Sequence, residues 1–288
     1  MEYYKSNFDE PYLQIFKEEG FPDPPEALWV NGKLPDCKPE RPKTVAIVGA
    51  RRSTPYGENI AYSLAYDLAK CGVVVVSGLA YGIDACAHRG CLDAGGTTIA
   101  VLGTPIDQIY PSSNAYLARR ILEKGAIVSE YDPGMEIKKY FFLQRNRIVT
   151  ALADIVVIAE AAEKSGTIFT ANVSQEQNKE VFAVPGNITR PMSAGCNRLI
   201  STGAHIYTGV DDVLLALGLA GKEAGTGKYR NCSPAERLII DSLKTGEKDM
   251  VELIADTKYS VSELMQVLTQ LELKGLAKST EKNTWILA

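Results

Sequence analysis

Apolar runs rich in β-branched residues alternate with helical segments from Thr44 onward. Near-continuous apolar strands that alternate with helices are typical of a parallel sheet covered on both faces. The pattern therefore predicts an α/β domain over residues 44–217, with ligands at the carboxyl ends of the strands. The predicted strands are Thr44–Val48, Val73–Ser77, Thr98–Leu102, Ala126–Ser129, Ile155–Ala159 and Val181–Val184. The predicted helices between them are Glu58–Lys70, Asp84–Ala94 and Ala115–Lys124.

The segments on either side of this domain have different patterns. Residues 1–43 are proline-containing and weakly periodic, and they predict a short N-terminal extension with a helix around Tyr12–Glu19. Residues 218–230 contain four glycines within ten positions, which is typical of a linker. Residues 231–288 predict three short helices followed by two short strands, the layout of a winged helix. Its third helix, Val261–Leu273, is polar rather than basic, which favours a protein-contact or structural role over DNA binding.

Composition restricts the classes of protein that fit. No stretch of 18 apolar residues and no secretory signal is present, so we expect a cytoplasmic protein without a membrane partner. The six cysteines form no CxxC pair and are expected to be small buried apolar residues, with no metal site or disulfide framework. The net charge is −4, yet residues 41–150 carry 13 basic and 9 acidic side chains. A local basic surface is compatible with binding to phosphates.

Three predicted strands end in glycine-bearing turns that lead into helices. These turns are Gly49-Ala50-Arg51, Ser77-Gly78 and Ser165-Gly166-Thr167. Glycine lets the backbone approach a phosphate and directs amides at it, although each turn alone could be an ordinary tight turn or helix cap. Because the carboxyl ends of parallel strands converge at one edge, their coincidence favours a phosphate-binding edge. The pattern is not GxGxxG, so we expect no dinucleotide cofactor.

Two further groups of residues each permit two interpretations. Arg145-Asn146-Arg147 follows Phe141 and Phe142, and arginines beside aromatic rings suit a single nucleic-acid strand. Alternatively, the rings belong to the core and the arginines pair with acidic side chains. Asp84 and His88 lie one helical turn apart and could form an acid–base pair. We favour a capped helix with a hydrogen-bonded histidine, and hence a protein that is not an enzyme.

Together these segments resemble the DNA-processing protein A family, also called DprA or Smf. The resemblance runs in order from about residue 44 to 212, and the C-terminal segment is similar to the winged helix that many members carry. The segments that carry it are Val45–Arg51, Ser77–His88, Thr98–Gly103 with Tyr110-Pro111, Ser129–Tyr131, Arg145–Arg147, Ser165–Thr167 and Val181–Gly186 with Gly195–Asn197.

The resemblance implies an extended Rossmann-like fold that binds single-stranded DNA. It also implies a homodimer that protects incoming DNA and helps to load the RecA recombinase during natural transformation. The DNA-binding residues that it implies are Gly49, Arg51, Ser77, Gly78, Arg145, Asn146, Arg147, Ser165, Gly166 and Thr167. Three positions depart from the family pattern, namely Ala50, Pro105 and Ser112, and the first and third would weaken contacts to phosphate.

Two other functions are compatible with a Rossmann-like domain. One is an enzyme similar to the nucleoside-monophosphate phosphoribohydrolases, whose Pro-Gly-Gly-x-Gly-Thr loop is only partly matched by Ser165-Gly166-Thr167. The other is a nucleotide-sensing domain. Titration with single-stranded DNA, duplex DNA and free nucleotides discriminates between these functions.

Overall fold

The computed structural model describes residues 3–18, 23–219, 232–280 and 284–288. The chain divides into two compact units, Met1–Ala224 and Gly225–Ala288. Each unit has apolar clusters of its own. The predicted linker at residues 218–230 lies mostly outside the described residues. Among the helices that are described, none combines the length and the apolar character needed to cross a membrane.

The first unit is built on one large sheet. Within the described residues, nine strands form it in the order β1-β2-β6-β5-β4-β3-β7-β8-β9. All neighbouring strands from β6 to β9 are parallel, whereas β1 and β2 are antiparallel additions at one edge. The strands are β1 (Tyr3–Ser6), β2 (Leu28–Gly32), β3 (Thr44–Gly49), β4 (Val74–Ser77), β5 (Thr98–Leu102), β6 (Ala126–Ser129), β7 (Ile155–Glu160), β8 (Glu180–Ala183) and β9 (His205–Ile206).

Helices follow the parallel strands, and the predicted α/β fold is confirmed. The longest, α1, begins at Pro55 after Thr54, whose side chain accepts a hydrogen bond from the Gly57 amide as an N-cap. The helices of this unit are α1 (Pro55–Lys70), α2 (Ile83–Asp93), α3 (Ala115–Lys124), α4 (Phe141–Gln144), α5 (Asn146–Ala151), α6 (Gly166–Glu176), α7 (Ala194–Ser201) and α8 (Val210–Ala216). Short 3₁₀ helices occupy Pro11–Lys17, Ser112–Asn114 and Pro191–Ser193.

Alternate residues of β3 explain why helices cover both faces of the sheet. Val45 and Ile47 belong to one apolar cluster with α1 residues such as Leu64. Ala46 and Val48 belong to a second cluster with residues of α5 and α6. From β3 the chain continues through α1 to β4, and from β7 through α6 to β8 on the other side. The neighbours β3 and β7 therefore form the switch point, where such sheets hold ligands at their carboxyl ends.

The N-terminal residues differ from their prediction. The helix expected around Tyr12–Glu19 is the 3₁₀ helix Pro11–Lys17, in which Tyr12 and Leu13 are buried against the main core. The segment also contributes β1 and β2, which the sequence did not predict. Strand β1 reads Tyr-Tyr-Lys-Ser and exposes its middle residues, so it lacks the apolar run that marked the other strands.

The second unit contains three helices and a two-stranded antiparallel sheet among its described residues. Each helix begins with a capping box. The side chain of the N-cap residue and that of a glutamate three residues later each accept a hydrogen bond from the other residue's backbone amide. Leu264, Leu268 and Leu271 of the third helix are fully buried against the first two. The elements are α9 (Pro234–Leu243), α10 (Met250–Thr257), α11 (Val261–Leu273), β10 (Ala277–Ser279) and β11 (Trp285–Leu287).

Candidate nucleic-acid interface

A cavity of about 670 Å³ lies at the carboxyl ends of β3, β4 and β7, where the sheet topology places its switch point. We refer to it as the first cavity. The turns after β3, β4 and β7 provide much of its wall, and α5 and α6 provide the rest. Eight of the ten residues predicted for the site line it. These are Gly49, Arg51, Gly78, Arg145, Asn146, Ser165, Gly166 and Thr167.

The other two predicted residues, Ser77 and Arg147, do not line the first cavity. Ser77 is buried, and its Oγ donates a hydrogen bond of 2.6 Å to the carbonyl of Ile47. Arg147 forms ion pairs with Glu130, at 2.5 Å, and Asp23, at 2.8 Å. For Arg147 the structure matches the alternative in which the arginine pairs with acidic side chains.

Arg145 lines the first cavity but is 4% exposed. Its Nη1 donates to the carbonyls of Gly78 and Val101, and its Nε donates to Asn146 Oδ1 at 3.1 Å. Burial lowers the pKa of the guanidinium to about 10, opposed by the charge of Asp84. A Cβ at Gly78 would overlap this guanidinium, which explains the glycine at that position. Arg145 therefore fixes the loop after β4 through its Nη1 and Nε donors.

Asp84 and His88 do not form the acid–base pair that their spacing permitted. The Asp84 carboxylate accepts hydrogen bonds from the amides of Gly78, at 3.2 Å, and Ala80, at 3.4 Å, while burial raises its pKa. His88 is fully buried and its Nδ1 lies 2.7 Å from Thr98 Oγ1. Burial, followed by the charge of Arg145, lowers the pKa of His88 to about 3, so the ring is neutral near pH 7. Gly82, rather than Asp84, is the N-cap of α2.

The first turn of α6 presents polar groups to the first cavity. Ser165 is the N-cap residue, and its buried Oγ has no hydrogen-bond partner. The first amides of any α-helix lack partners within the helix, and the helix dipole makes this end attractive to anions. Gly166 and Thr167 also line the cavity. This turn therefore offers donors to an anion from its backbone and from one hydroxyl.

Three cations lie at the rim of the first cavity: Arg51, Arg52 and Lys139. All three are exposed, and within the described part of the chain no carboxylate forms a salt bridge with them. Of the three, only Arg51 was predicted as a site residue. Arg52 directly follows it, whereas Lys139 lies in a loop with no strand or glycine turn to mark it. Arg51, Arg52 and Lys139 are hereafter called the rim cations.

Aromatic rings adjoin the rim cations. The Arg51 guanidinium lies 5.3 Å from the Phe142 ring centre, and Phe142 lies 5.5 Å from the ring of Tyr110. A small neighbouring cavity of about 40 Å³ is lined by these three residues and by Tyr81. Tyr110 and Tyr81 are both half exposed. Phe142 was predicted to lie near the site, and the tyrosines add faces for planar groups.

Of the three residues that depart from the family pattern, one lines the first cavity. Ala50 is buried and lines the first cavity, and its amide donates to the carbonyl of Glu160 at 2.8 Å. Ser112 is exposed in its 3₁₀ helix and lies outside the lining of the first cavity. Pro105 is buried. Within the described residues, no group of three or more potential ligands could hold a metal ion.

Comparison with known proteins identifies the relatives of this chain. The model of a family described as DNA recombination-mediator protein A matches residues 5–218. The chain belongs to this family. A DNA processing protein DprA of Streptococcus pneumoniae is 41% identical to it over 67% of each chain. The matched residues lie within the first unit, which contains the α/β sheet and the first cavity described above.

Two solved structures of DNA processing protein A share this fold. The X-ray structure from Streptococcus pneumoniae has a TM-score of 0.67 and 36% identity, and the alignment covers 75% of this chain and 74% of that one. A structure from Helicobacter pylori, described as giving insight into a single-stranded DNA binding mode, has a TM-score of 0.65 and 34% identity. That alignment covers 75% of this chain and 96% of the other. The Rossmann-like fold predicted for this family member is thus confirmed.

Proposed function

We propose that this chain binds single-stranded DNA along the carboxyl edge of its sheet, with the first cavity as the main contact. The observation that carries the proposal is the convergence, at one cavity, of the rim cations, the donors of the α6 turn and exposed aromatic rings. A Helicobacter pylori relative with the same fold is described as having a single-stranded DNA binding mode, which supports the proposal.

The two kinds of group at this edge suit the two parts of a single strand. Cations and helix amides bind phosphates, which every nucleotide carries, whereas aromatic faces stack on unpaired bases. In a duplex the bases stack on one another inside the helix and are not available to Tyr110 or Phe142. We therefore expect a preference for single strands and little dependence on base sequence from these contacts.

Titration of the full chain with matched 20-nucleotide DNAs tests this function. We expect a single strand to bind more tightly than the duplex of the same length, and free nucleotides to bind weakly. Equal or tighter binding of the duplex contradicts the proposal. Tight binding of a free nucleotide in place of DNA favours the nucleotide-sensing alternative.

We also propose that the first cavity binds without catalysing a reaction. Asp84 is the carboxylate that lines it, and its oxygens accept hydrogen bonds from the loop after β4. His88, the other candidate, is fully buried against Thr98. Purified protein should hydrolyse neither DNA nor nucleoside monophosphates. Hydrolysis that Asp84→Asn abolishes, in a protein that still binds DNA, would establish the phosphoribohydrolase-like enzyme instead.

Membership of the recombination-mediator family supports a wider role. We propose that the protein acts in the cytoplasm as a homodimer, protects incoming single-stranded DNA and helps to load RecA recombinase during natural transformation. Light scattering should give twice the mass of one chain. RecA-dependent strand exchange on DNA covered by single-strand-binding protein should accelerate when this chain is added, and no acceleration would contradict the loading role.

For the second unit we propose a winged helix that contacts protein rather than DNA. The exposed residues of α11 include Glu263, Met265, Glu272 and Leu273 and no lysine or arginine, because Lys274 follows the helix. Phosphates attract cations, so this helix is poorly suited to a DNA groove. A fragment of residues 1–219 should keep its affinity for single-stranded DNA within about threefold. A folded fragment that loses binding would assign the DNA site to the second unit.

A further inference from the structure

A second cavity, of about 580 Å³, lies beside the first at the carboxyl edge of the sheet. Its wall comes from the N-terminus of α1, the end of β7 and the loop after β8. Met192 lines both cavities and is their shared wall. Small-molecule sites span about 300–1,000 Å³, so the second cavity has room for a nucleobase with its sugar.

Glu160 is a buried carboxylate that lines the second cavity. Glu160 is 3% exposed, and its oxygens accept hydrogen bonds from Thr54, at 2.7 Å from the amide and 2.6 Å from the hydroxyl. A carboxylate has about four acceptor sites, and the amide and hydroxyl of Thr54 occupy one on each oxygen, so capacity remains for a single further donor on either oxygen. A buried carboxylate gains from each added donor because it has been removed from water. The second cavity therefore favours a ligand that presents N–H groups.

The remaining wall is mostly apolar and partly aromatic. Tyr56 lines it, and its Oη donates to the carbonyl of Pro185 at 2.8 Å, which holds the ring against the loop after β8. Pro55 and Pro191 add apolar surface. Arg190 lines the cavity and is exposed, so it can meet a phosphate at the opening. Flat apolar walls with an aromatic ring suit a planar heterocycle.

We propose that the second cavity binds one nucleobase of the strand whose phosphates contact the first cavity, and that Glu160 selects a base with N–H donors. This inference rests on the proposed binding of single-stranded DNA. Guanine, adenine and cytosine each carry an exocyclic amino group that can donate to a remaining lone pair of the carboxylate. Thymine has no amino group and presents one N–H between two carbonyl oxygens, which the carboxylate repels. The preference is therefore for guanine, adenine or cytosine over thymine.

The first test compares four 12-nucleotide strands by fluorescence anisotropy with the full chain. One contains thymine alone, and the others carry one central guanine, adenine or cytosine. Because a strand can slide to place its single different base, the guanine, adenine and cytosine strands should each bind about tenfold more tightly than the thymine strand, as expected for one hydrogen bond to a charged group. Equal affinity for all four strands would overturn the base-binding role while leaving the proposed function intact. Absence of binding to every strand would contradict both.

Three variants assign the preference to the second cavity. Glu160→Gln should bring the affinities for the guanine and thymine strands to within about twofold of each other, because an amide attracts amino groups less and no longer repels the thymine oxygens. Glu58→Gln is the matched control, because Glu58 lies on the same helix as Tyr56, bonds to Ser53 Oγ and does not line the cavity. Tyr56→Ala removes the ring and should also reduce the preference for guanine over thymine. It therefore tests the inference if Glu160→Gln fails to fold. A full preference in folded Glu160→Gln or Tyr56→Ala overturns the inference.

Discussion

The carboxyl edge of the sheet has two layers of charge that differ in burial and in partners. The rim cations are exposed and have no salt-bridge partner within the described residues. Beneath them, Arg145 and Arg147 are less than a tenth exposed and are held by carbonyl oxygens or carboxylates. The existing partners of each arginine therefore indicate whether its removal should destabilise the fold.

This difference separates two effects that substitution of an arginine can have. Removing a rim cation deletes a solvent-exposed charge and leaves no buried group without its partner. The fold should therefore tolerate the substitution. Removing a buried cation leaves acceptors and a carboxylate uncompensated.

Arg145→Ala should lower the free energy of unfolding by about 3–5 kcal/mol, the usual cost of breaking a buried charge pair. The substitution leaves the carbonyls of Gly78 and Val101 without their donor and the Asp84 carboxylate without the nearby positive charge. Urea unfolding followed by circular dichroism measures the change. Arg51→Ala is the matched control and should change it by less than about 0.5 kcal/mol. Equal effects of the two substitutions would show that the layers do not differ.

The triple variant Arg51→Ala/Arg52→Ala/Lys139→Ala should reduce affinity for single-stranded DNA by at least roughly 100-fold. Charge-assisted hydrogen bonds contribute about 1.5–3 kcal/mol each, and tenfold in affinity corresponds to about 1.4 kcal/mol. Anisotropy titration measures the loss, and the unfolding midpoint should remain near that of wild type. The double variant Lys258→Ala/Lys278→Ala removes exposed lysines of the second unit and should change affinity less than about threefold. A triple variant that binds DNA like wild type would exclude the rim cations from the DNA-binding site.

The buried His88 should make the free energy of unfolding depend on pH. Its pKa is lowered from 6.5 to about 3 in the folded chain, because burial disfavours the charged ring. The folded state therefore binds the proton less readily than the unfolded state, and the stability that neutral His88 permits is lost as pH falls from 6.5 toward 3. Between pH 7 and pH 5 the free energy of unfolding should fall by about 2 kcal/mol.

Substitution of each histidine isolates this effect. His88→Gln should remove most of the loss between pH 7 and pH 5, whereas His205→Gln, at an exposed position of β9, should retain it. Urea unfolding at the two pH values provides the measurement. An unchanged pH dependence in folded His88→Gln would mean that another group titrates in this range.

Hydrophobic patterning predicted six of the seven parallel strands that the structure describes and missed the two-residue β9. The runs at Thr44–Val48 and Ile155–Ala159 are buried on both faces, so their sequence is nearly all apolar and identifies a central strand. Strand β1 is short and half exposed at the sheet edge, and it gives no such signal. Its position depends on pairing with β2, which is distant in sequence and cannot be deduced from a local pattern.

The lining of the first cavity was predicted where the backbone forms it and was missed where side chains form it. The glycine turns at Gly49, Gly78 and Gly166 were found because the strand ends and the glycines are both visible in the sequence. Arg145 and Arg147 are two positions apart in one motif, and the sequence could not show that only Arg145 lines the first cavity. Lys139 reaches the rim from an irregular loop, so only the folded chain reveals it.

The salt dependence of single-stranded DNA binding tests the role of the rim cations most directly. Each neutralised phosphate adds about 0.7 to the slope of log affinity against log salt for a single strand. Wild type and the triple variant Arg51→Ala/Arg52→Ala/Lys139→Ala should therefore differ in slope by about 2, with the variant less sensitive to salt. Equal slopes for the two proteins would show that the rim cations do not contact phosphates and would contradict the account.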